Sequence, residues 1–126
     1  MTPDETVTEF IHRMEAKDVD GALELAADDL FYENVPIPPA YEGKEAVRDF
    51  LGPFLGGTTA VEWIVHRQTA TGDVVMNERT DRFQFGEKWI GVKVVGVWEV
   101  KDGLITFWRD YFDAKEMMDG IASLSE

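Results

Sequence analysis

Two charged side chains, Arg79 and Asp81, lie on a strand face that the sequence predicts to be buried. The segment from Val74 to Phe85 alternates between two sets of residues, as a strand does because successive side chains point to opposite faces. The face with Arg79 and Asp81 is apolar at its ends, where Val75 and Phe83 stand, so we expect it to face the core. A buried charge is costly unless it is paired, and these two neighbours can pair with each other. Such a pair is either a structural ion pair or part of an active site.

A second carboxylate, that of Asp110, lies among large apolar residues of another predicted strand. The face of that strand that includes it reads Leu104, Thr106, Trp108, Asp110 and Phe112. Desolvation raises the pKa of a carboxyl group, whereas a nearby guanidinium lowers it. Two carboxylates beside one arginine can therefore have different roles, one protonated and acting as an acid, the other ionised and acting as a base. The alternative is that Asp110 caps a nearby backbone group at the end of its strand.

Tyr32 and Asn34 are two residues apart on one face of a short predicted strand from Phe31 to Val35. Together with a carboxylate they offer three hydrogen-bonding partners, which is enough to fix a lone buried water. Taken by themselves, they are more simply explained as a core aromatic residue and a turn residue before the prolines.

The two histidines add little to this site. His12 falls on the polar side of the first helix, and His66 alternates with Ile64 and is compatible with a hydrogen-bonded core histidine. No histidine–carboxylate spacing typical of a metal site occurs, nor does a glycine-rich phosphate loop or a serine-centred elbow. We therefore expect no metal and no cofactor.

Helices precede a run of strands that turns connect. The predicted helices are one that begins with the capping box Thr2 to Glu5, one from Asp18 to Ala27, one from Gly43 to Leu51 that Gly52-Pro53 ends or kinks, and a short one capped by Asp113. The predicted strands are Phe31 to Val35, Val61 to Arg67, Val74 to Phe85, Trp89 to Val100 and Leu104 to Phe112. This order predicts one α+β domain over residues 1–126, in which a long curved sheet and its helices form a cone with an internal pocket.

The composition excludes several classes of partner. The chain has 12 Lys and Arg residues against 25 Asp and Glu residues, a net charge of -13, which argues against nucleic acids and anionic membranes. It has no cysteine, which excludes disulfides and a thiol nucleophile. No apolar run approaches the roughly 20 residues of a membrane span, and the acidic first residues lack the basic region of a signal peptide. These features predict a cytoplasmic protein.

Three segments, in order along the chain, resemble the limonene-1,2-epoxide hydrolase family. Tyr32 to Tyr41 is similar to its Tyr-x-Asn-x-Pro-x-Pro-Pro-Ala-Tyr segment, Glu78 to Asp81 to its Glu-Arg-x-Asp strand, and Trp108 to Asp113 to its Trp-Arg-Asp-Tyr-Phe-Asp strand. The resemblance covers nearly the whole chain and implies an NTF2-like (SnoaL-like) cone. The chain departs from the family at Asn77, where threonine is common, at Glu42, which is an insertion, and at residues 56–59, which are poor in apolar side chains.

The resemblance also implies a role for each candidate residue in opening an epoxide in one step, without a covalent intermediate. Asp110 resembles the base that deprotonates water, and Tyr32 and Asn34 resemble the residues that hold this water. Asp81 resembles the acid that protonates the epoxide oxygen, and Arg79 resembles the bridge between the two carboxylates.

We expect an apolar pocket that suits a hydrophobic, terpene-like or cyclic epoxide and yields a vicinal diol. The expected lining residues are Ile11, Met14, Val35, Phe54, Phe83, Val92, Val94, Phe112 and Met117. One alternative is a ketosteroid-isomerase-like or polyketide-cyclase-like enzyme that uses a single aspartate as base. Another is a non-catalytic binding protein in which Arg79 anchors an acidic ligand.

The segment from Trp89 to Val100 is apolar on both faces, which predicts a homodimer. One face carries Ile90, Val92, Val94 and Trp98, and the other carries Trp89, Val95 and Val97. One face can line the pocket, whereas in a monomer the other would stay exposed, unless the helices cover it, and large exposed apolar patches usually mark interfaces. A dimer with twofold symmetry is the commonest assembly for such a patch.

Overall fold

The computed structural model describes all 126 residues, which form four helices and a curved, unclosed six-stranded sheet. The helices are α1 (Pro3–Glu15), α2 (Val19–Leu23), α3 (Lys44–Gly56) and α4 (Ala114–Ser123), and the strands are β1 (Ala26–Val35), β2 (Tyr41–Glu42), β3 (Ala60–Thr71), β4 (Val74–Phe85), β5 (Lys88–Lys101) and β6 (Leu104–Phe112). The predicted α+β class is confirmed.

The sheet is mixed, with the strand order β2-β1-β6-β5-β4-β3. β3 to β6 form an antiparallel meander of long strands, and β1 joins its edge by pairing with β6 in parallel. Parallel pairing requires a long connection, and the helices and strands between β1 and β6 supply it. The order brings β1 and β6, which are far apart in sequence, side by side at the functional residues.

Helix α1 begins where the capping box predicts. The Glu5 backbone N–H donates to Thr2 Oγ1 at 3.1 Å, and the Thr2 backbone N–H donates to Glu5 Oε1 at 2.9 Å. Phe10 and Met14 of this helix are fully buried against the sheet, where Phe10 meets Trp98 and Trp108 edge to face at 5.5 Å and 5.2 Å. α1 therefore closes the core behind the inner face of the sheet.

The second predicted helix was too long, and the strand after it was too short. α2 ends at Leu23, and β1 already begins at Ala26, which pairs with Ile105 of β6. The pairing is irregular between Ala26 and Phe31. The hydrogen bonds to β6 thus convert a helix-like segment into strand, which local sequence patterns do not report.

Of the two predicted effects of Gly52-Pro53 on the third helix, an end or a kink, the end was wrong, and the short strand β2 was missed. α3 continues through Pro53 to Gly56, which loses the backbone hydrogen bond that a proline cannot donate. The helix nevertheless buries both Leu51 and Leu55, four residues apart on one face, and this burial favours the extra turn. β2 forms because residues 41–42 pair with β1.

The inner face of β6 changes parity along the strand. Glu99 pairs with Phe107 but Val100 pairs with Ile105, so Thr106 forms a bulge. As a result Ile105 is buried and Leu104 is exposed, contrary to the single alternating face that the sequence predicted. Beyond the bulge the predicted parity holds.

None of the helices is long and apolar enough to span a membrane.

Candidate active site

Arg79 holds two carboxylates that come from different strands. Its Nε donates to Asp81 Oδ1 and its Nη2 to Asp81 Oδ2, both at 3.0 Å, which makes a bidentate pair within β4. The same Nη2 donates to Asp110 Oδ2 of β6 at 3.0 Å. The three residues are only 1%, 5% and 5% exposed. The predicted pairing of Arg79 with Asp81 on an inward face is confirmed, and Asp110 completes a buried charged cluster.

β5 separates these two strands and leaves the path between them open. Asn77 of β4, Gly96 of β5 and Asp110 of β6 lie in line across the sheet. Because Gly96 has no side chain, the guanidinium of Arg79 can cross β5 to reach Asp110. The bridge therefore depends on three strands in register.

The cluster has one positive charge for two carboxylates. Burial is the main cause that raises the pKa of Asp110 to about 6. The positive charge of Arg79 lowers this pKa, and the negative charge of Asp81 raises it. Trp108 Nε1 donates to Asp110 Oδ1 at 2.9 Å and so favours the ionised form. Burial also lowers the pKa of Arg79, but the two carboxylates together hold it above its ordinary value, so the guanidinium stays charged. When both carboxylates are ionised, the cluster holds one buried negative charge that Arg79 does not balance.

The parallel pairing of β1 with β6 places Tyr32 and Asn34 beside this cluster. Asn34 is the direct partner of Asp110, and Tyr32 is the partner of Trp108, on which its ring stacks at 4.0 Å. The Tyr32 hydroxyl donates to Asn34 Oδ1 at 3.0 Å. Burial, followed by the charge of Asp110, raises the Tyr32 pKa well above its ordinary value, so this hydroxyl stays protonated.

The cluster lies on the wall of an apolar cavity of about 120 Å³. Asp81, Asp110, Tyr32 and Asn34 all reach this wall, whereas Arg79 lies behind the carboxylates and does not. The cavity wall also contains Ile37, Phe50, Leu51, Phe54, Trp63, Phe83, Val92, Val94, Phe112 and Met117. A ligand in the cavity would thus meet two carboxylates, a phenol and an amide against an otherwise hydrophobic surface.

Six of the nine predicted lining residues lie on this wall, and three do not. The six are Phe54, Phe83, Val92, Val94, Phe112 and Met117. Ile11 and Met14 are instead packed into the core, 2% and 0% exposed, because the inner face of α1 presses on the sheet. Val35 is absent from the wall because side chains alternate along a strand, and its neighbour Asn34 already points to the cavity.

Sequence patterns missed four wall residues, Ile37, Phe50, Leu51 and Trp63. Two of them, Phe50 and Leu51, lie within the predicted third helix, and the period of a helix does not say what its apolar stripe faces. Trp63 could have been predicted from the sequence, because it points to the same inner face of β3 as Val61. A glycine within a long apolar strand, as at Gly96, is likewise a sequence sign of close approach.

His66 is not the core histidine that its alternation with Ile64 allowed. His66 is exposed, and its Nε2 lies 2.8 Å from Thr80 Oγ1 on the outer side of the sheet. It occupies a bulge, because Val65 pairs with Arg79 whereas Arg67 pairs with Glu78. His12 is exposed, as predicted. No three His, Asp or Glu side chains are grouped as they would be around a metal ion.

Comparison with known proteins gives a consistent family. Residues 1–123 match the family model described as the limonene-1,2-epoxide hydrolase catalytic domain. The chain is 36% identical over 115 residues to the epoxide hydrolase EphG of Mycobacterium tuberculosis, an alignment that covers 91% of this chain and 76% of that protein.

Solved structures agree on both fold and family. The structure of a limonene-epoxide-hydrolase-like epoxide hydrolase from M. tuberculosis superposes with a TM-score of 0.83 at 36% identity, covering 94% of this chain and 83% of that one. An NTF2-like protein from Burkholderia pseudomallei reaches a TM-score of 0.83 at 20% identity, covering 96% and 98% of the two chains. The second likeness concerns the fold alone, and it confirms the predicted NTF2-like cone.

Proposed function

Because this chain belongs to the limonene-1,2-epoxide hydrolase family of epoxide hydrolases, we propose that it adds water to a hydrophobic epoxide in one acid–base step and releases a vicinal diol. The observation that carries this mechanism is the sharing of one arginine nitrogen, Arg79 Nη2, between Asp81 and Asp110 at 3.0 Å each. Both carboxylates reach the wall of the same apolar cavity, so an acid and a base are available to one small substrate.

Asp110 is the base in this proposal because it lies beside the groups that can hold water. Asn34 pairs with it across the strands, and the Tyr32 hydroxyl is fixed on Asn34. The water oxygen forms a bond to one epoxide carbon, and the water gives a proton to Asp110. A pKa raised by burial to about 6 leaves Asp110 ionised at neutral pH yet basic enough to accept this proton.

Asp81 is the acid, since it is the other carboxylate on the cavity wall. As the carbon–oxygen bond of the ring breaks, Asp81 gives its proton to the departing oxygen. Asp110 then carries one proton and Asp81 none, and transfer of that proton back to Asp81 restores the starting state. The pair holds one proton throughout, and Arg79 balances the one remaining negative charge.

The apolar wall favours a hydrophobic terpene-like or cyclic epoxide. Apart from Asn34, Asp81, Asp110 and the Tyr32 hydroxyl, the wall is formed by ten largely apolar side chains, none of which is charged. The geometry does not support a role for Arg79 as an anchor for an acidic ligand, because the guanidinium is buried behind the carboxylates.

The test is product analysis on limonene-1,2-epoxide, cyclohexene oxide, styrene oxide and a long-chain epoxide. We expect the diol, with loss of activity in Asp81→Asn and Asp110→Asn. A single turnover in ¹⁸O-labelled water should place the label in the diol and none in the protein. An isomerised product would favour the isomerase or cyclase alternative, and label in the protein would replace the one-step mechanism with a covalent one.

We also propose a homodimer formed through the outer face of the sheet. On β5, the predicted inner residues Ile90, Val92, Val94 and Trp98 are buried. Of the predicted outer residues, Val95 is 43% exposed and Trp89 and Val97 are half-buried. Ile64, Met76 and Tyr111 of the adjacent strands are also outward and 39% to 46% exposed, and the charged side chains of Glu78 and Lys93 lie among them. Light scattering should return twice the chain mass of 14.3 kDa, and the monomer mass would refute the dimer without affecting the catalytic proposal.

A further inference from the structure

Arg79 has a third acceptor that is neither a carboxylate nor part of the cavity wall. Asn77 Oδ1 accepts from Arg79 Nη1 at 2.7 Å, which is shorter than the 3.0 Å contacts of Arg79 with the two carboxylates. The same oxygen accepts from Trp98 Nε1 at 3.3 Å. Asn77 is 3% exposed and contributes nothing to the wall of the cavity. It therefore touches the catalytic cluster only from behind.

A chain of hydrogen bonds decides which end of the Asn77 amide meets Arg79. Asn77 Nδ2 donates to Gln68 Oε1 at 3.0 Å, which turns the carbonyl oxygen toward the guanidinium. Gln68 Nε2 in turn donates to Asp4 Oδ1 at 2.8 Å and to Thr8 Oγ1 at 3.0 Å, both on α1. Because each amide has its donor end committed, neither can flip without losing a partner. The first helix thus fixes the orientation of a group that contacts the site.

The sheet leaves room for this contact at Gly96. A Cβ atom built there would lie 2.4 Å from Arg79 Nη1, 2.7 Å from Asn77 Oδ1 and 2.9 Å from Trp98 Nε1, so any other residue would push these groups apart. Gly91, on the same strand, differs, since its nearest neighbour would be 3.5 Å away, an ordinary contact.

We propose that Asn77, oriented by Gln68 and given space by Gly96, is the positioning residue that keeps Arg79 turned so that its Nη2 bridges Asp81 and Asp110. This positioning is needed because Asp81 accepts two hydrogen bonds from the guanidinium, whereas Asp110 accepts only one. Without the hydrogen bond from Nη1 to Asn77, the guanidinium can turn so that it keeps its contacts with Asp81 and loses its contact with Asp110. A neutral amide supplies this hold without adding a third negative charge. The inference rests on the proposed epoxide hydrolysis for its catalytic meaning.

The first test is Asn77→Leu, which removes the acceptor and keeps the same number of side-chain heavy atoms in the same branched arrangement. Since Asn77 does not reach the cavity, KM should stay within about twofold, whereas a misplaced bridge should lower kcat by about tenfold or more. Asp110 would also lose the contact with Arg79 that lowers its pKa, so the acid limb of the pH profile should move upward from about 6. Gln68→Met, which frees the Asn77 amide while leaving it in place, should change the same quantities in the same direction by a smaller factor.

A glycine pair supplies the matched control. Gly96→Ala should reproduce the fall in kcat, whereas Gly91→Ala on the same strand should leave kcat and the pH profile unchanged. Thermal unfolding of each variant establishes that it is folded, and Gln68→Met keeps the test open if the two inward substitutions unfold the chain. A wild-type kcat and acid limb in folded Asn77→Leu would overturn the proposal.

A readout that needs no substrate separates this inference from the proposed function. In protein labelled with ¹³C at the aspartate carboxyl carbons, the Asp110 resonance should titrate near pH 6 in the wild type and higher in Asn77→Leu. If the wild type opened no epoxide, the proposed function would fail, while this shift would still support the positioning of Arg79 by Asn77. An unchanged Asp110 titration would refute the positioning itself.

Discussion

Replacing Asp110 with asparagine should change how the stability of the protein depends on pH. The pKa of Asp110 is raised from 3.8 to about 6 in the folded protein, chiefly by burial. Between these two values the folded state binds a proton that the unfolded state releases, so the stability of the wild type falls as pH rises through this window. A pKa raised from 3.8 to about 6 lowers the free energy of unfolding by about 3 kcal/mol at pH well above 6. An asparagine side chain does not ionise, so the Asp110→Asn variant escapes this loss.

A second effect of the same substitution works in the opposite direction but does not depend on pH. The two oxygens of Asp110 accept from Arg79 Nη2 and Trp108 Nε1, and an asparagine has only one oxygen to offer. The donor left without a partner costs roughly 1–3 kcal/mol. The two effects are similar in size, so stability at one pH is not informative, whereas its change with pH isolates the titration of Asp110.

Urea unfolding of both proteins at pH 4.5 and pH 7.5 provides the measurement. Between pH 4.5 and pH 7.5 the free energy of unfolding of the wild type should fall by about 2 kcal/mol relative to that of the variant. The change is smaller than the full 3 kcal/mol because the wild type has already lost part of this stability at pH 4.5. The control is Asp49→Asn, which alters a solvent-exposed aspartate of α3 and should track the wild type at both pH values. If Asp110→Asn also tracked the wild type, the raised pKa and the charge balance inferred for the cluster would be refuted.

Four further outcomes test the mechanism. Asp81→Asn should lower kcat by about 10²–10⁴-fold at a temperature where thermal unfolding shows the variant to be folded, and a smaller loss in steady-state kinetics would remove Asp81 as the acid. The value of kcat/KM should fall as pH drops below about 6, because Asp110 must be ionised to accept a proton, and a flat acid limb would contradict its role as base. Tyr32→Phe removes the hydroxyl that donates to Asn34, so kcat should fall by about tenfold, which is roughly the free energy of one hydrogen bond. Unchanged turnover would exclude Tyr32 from holding the water. Phe83→Ala enlarges the cavity next to Asp81, so bulky cyclic epoxides should gain in kcat/KM relative to small ones in a competition assay, and an unchanged ratio would place the substrate elsewhere.

The sequence by itself determined the features that depend on local periodicity. Alternation along residues 74–85 placed Arg79 and Asp81 inward together, and the structure confirms that face because the side-chain period of a strand is fixed at two. The capping box at Thr2 and the long strands of the meander were determined in the same way. The family was also readable from three short segments, and the match of residues 1–123 bears it out.

Only the tertiary structure decided which of these residues meet. Asp110 reaches Arg79 because β5 lies between their strands and has Gly96 at the crossing point, and because β1 pairs with β6 so that Asn34 stands beside Asp110. Registers of this kind depend on hydrogen bonds between distant segments and on bulges such as Thr106, which reverse the facing of everything beyond them. The same reason explains why Ile11 and Met14 were wrongly placed on the cavity wall. An apolar stripe shows that a side chain is buried, and only the packing of the helix on the sheet decides whether it fills the core or faces the cavity.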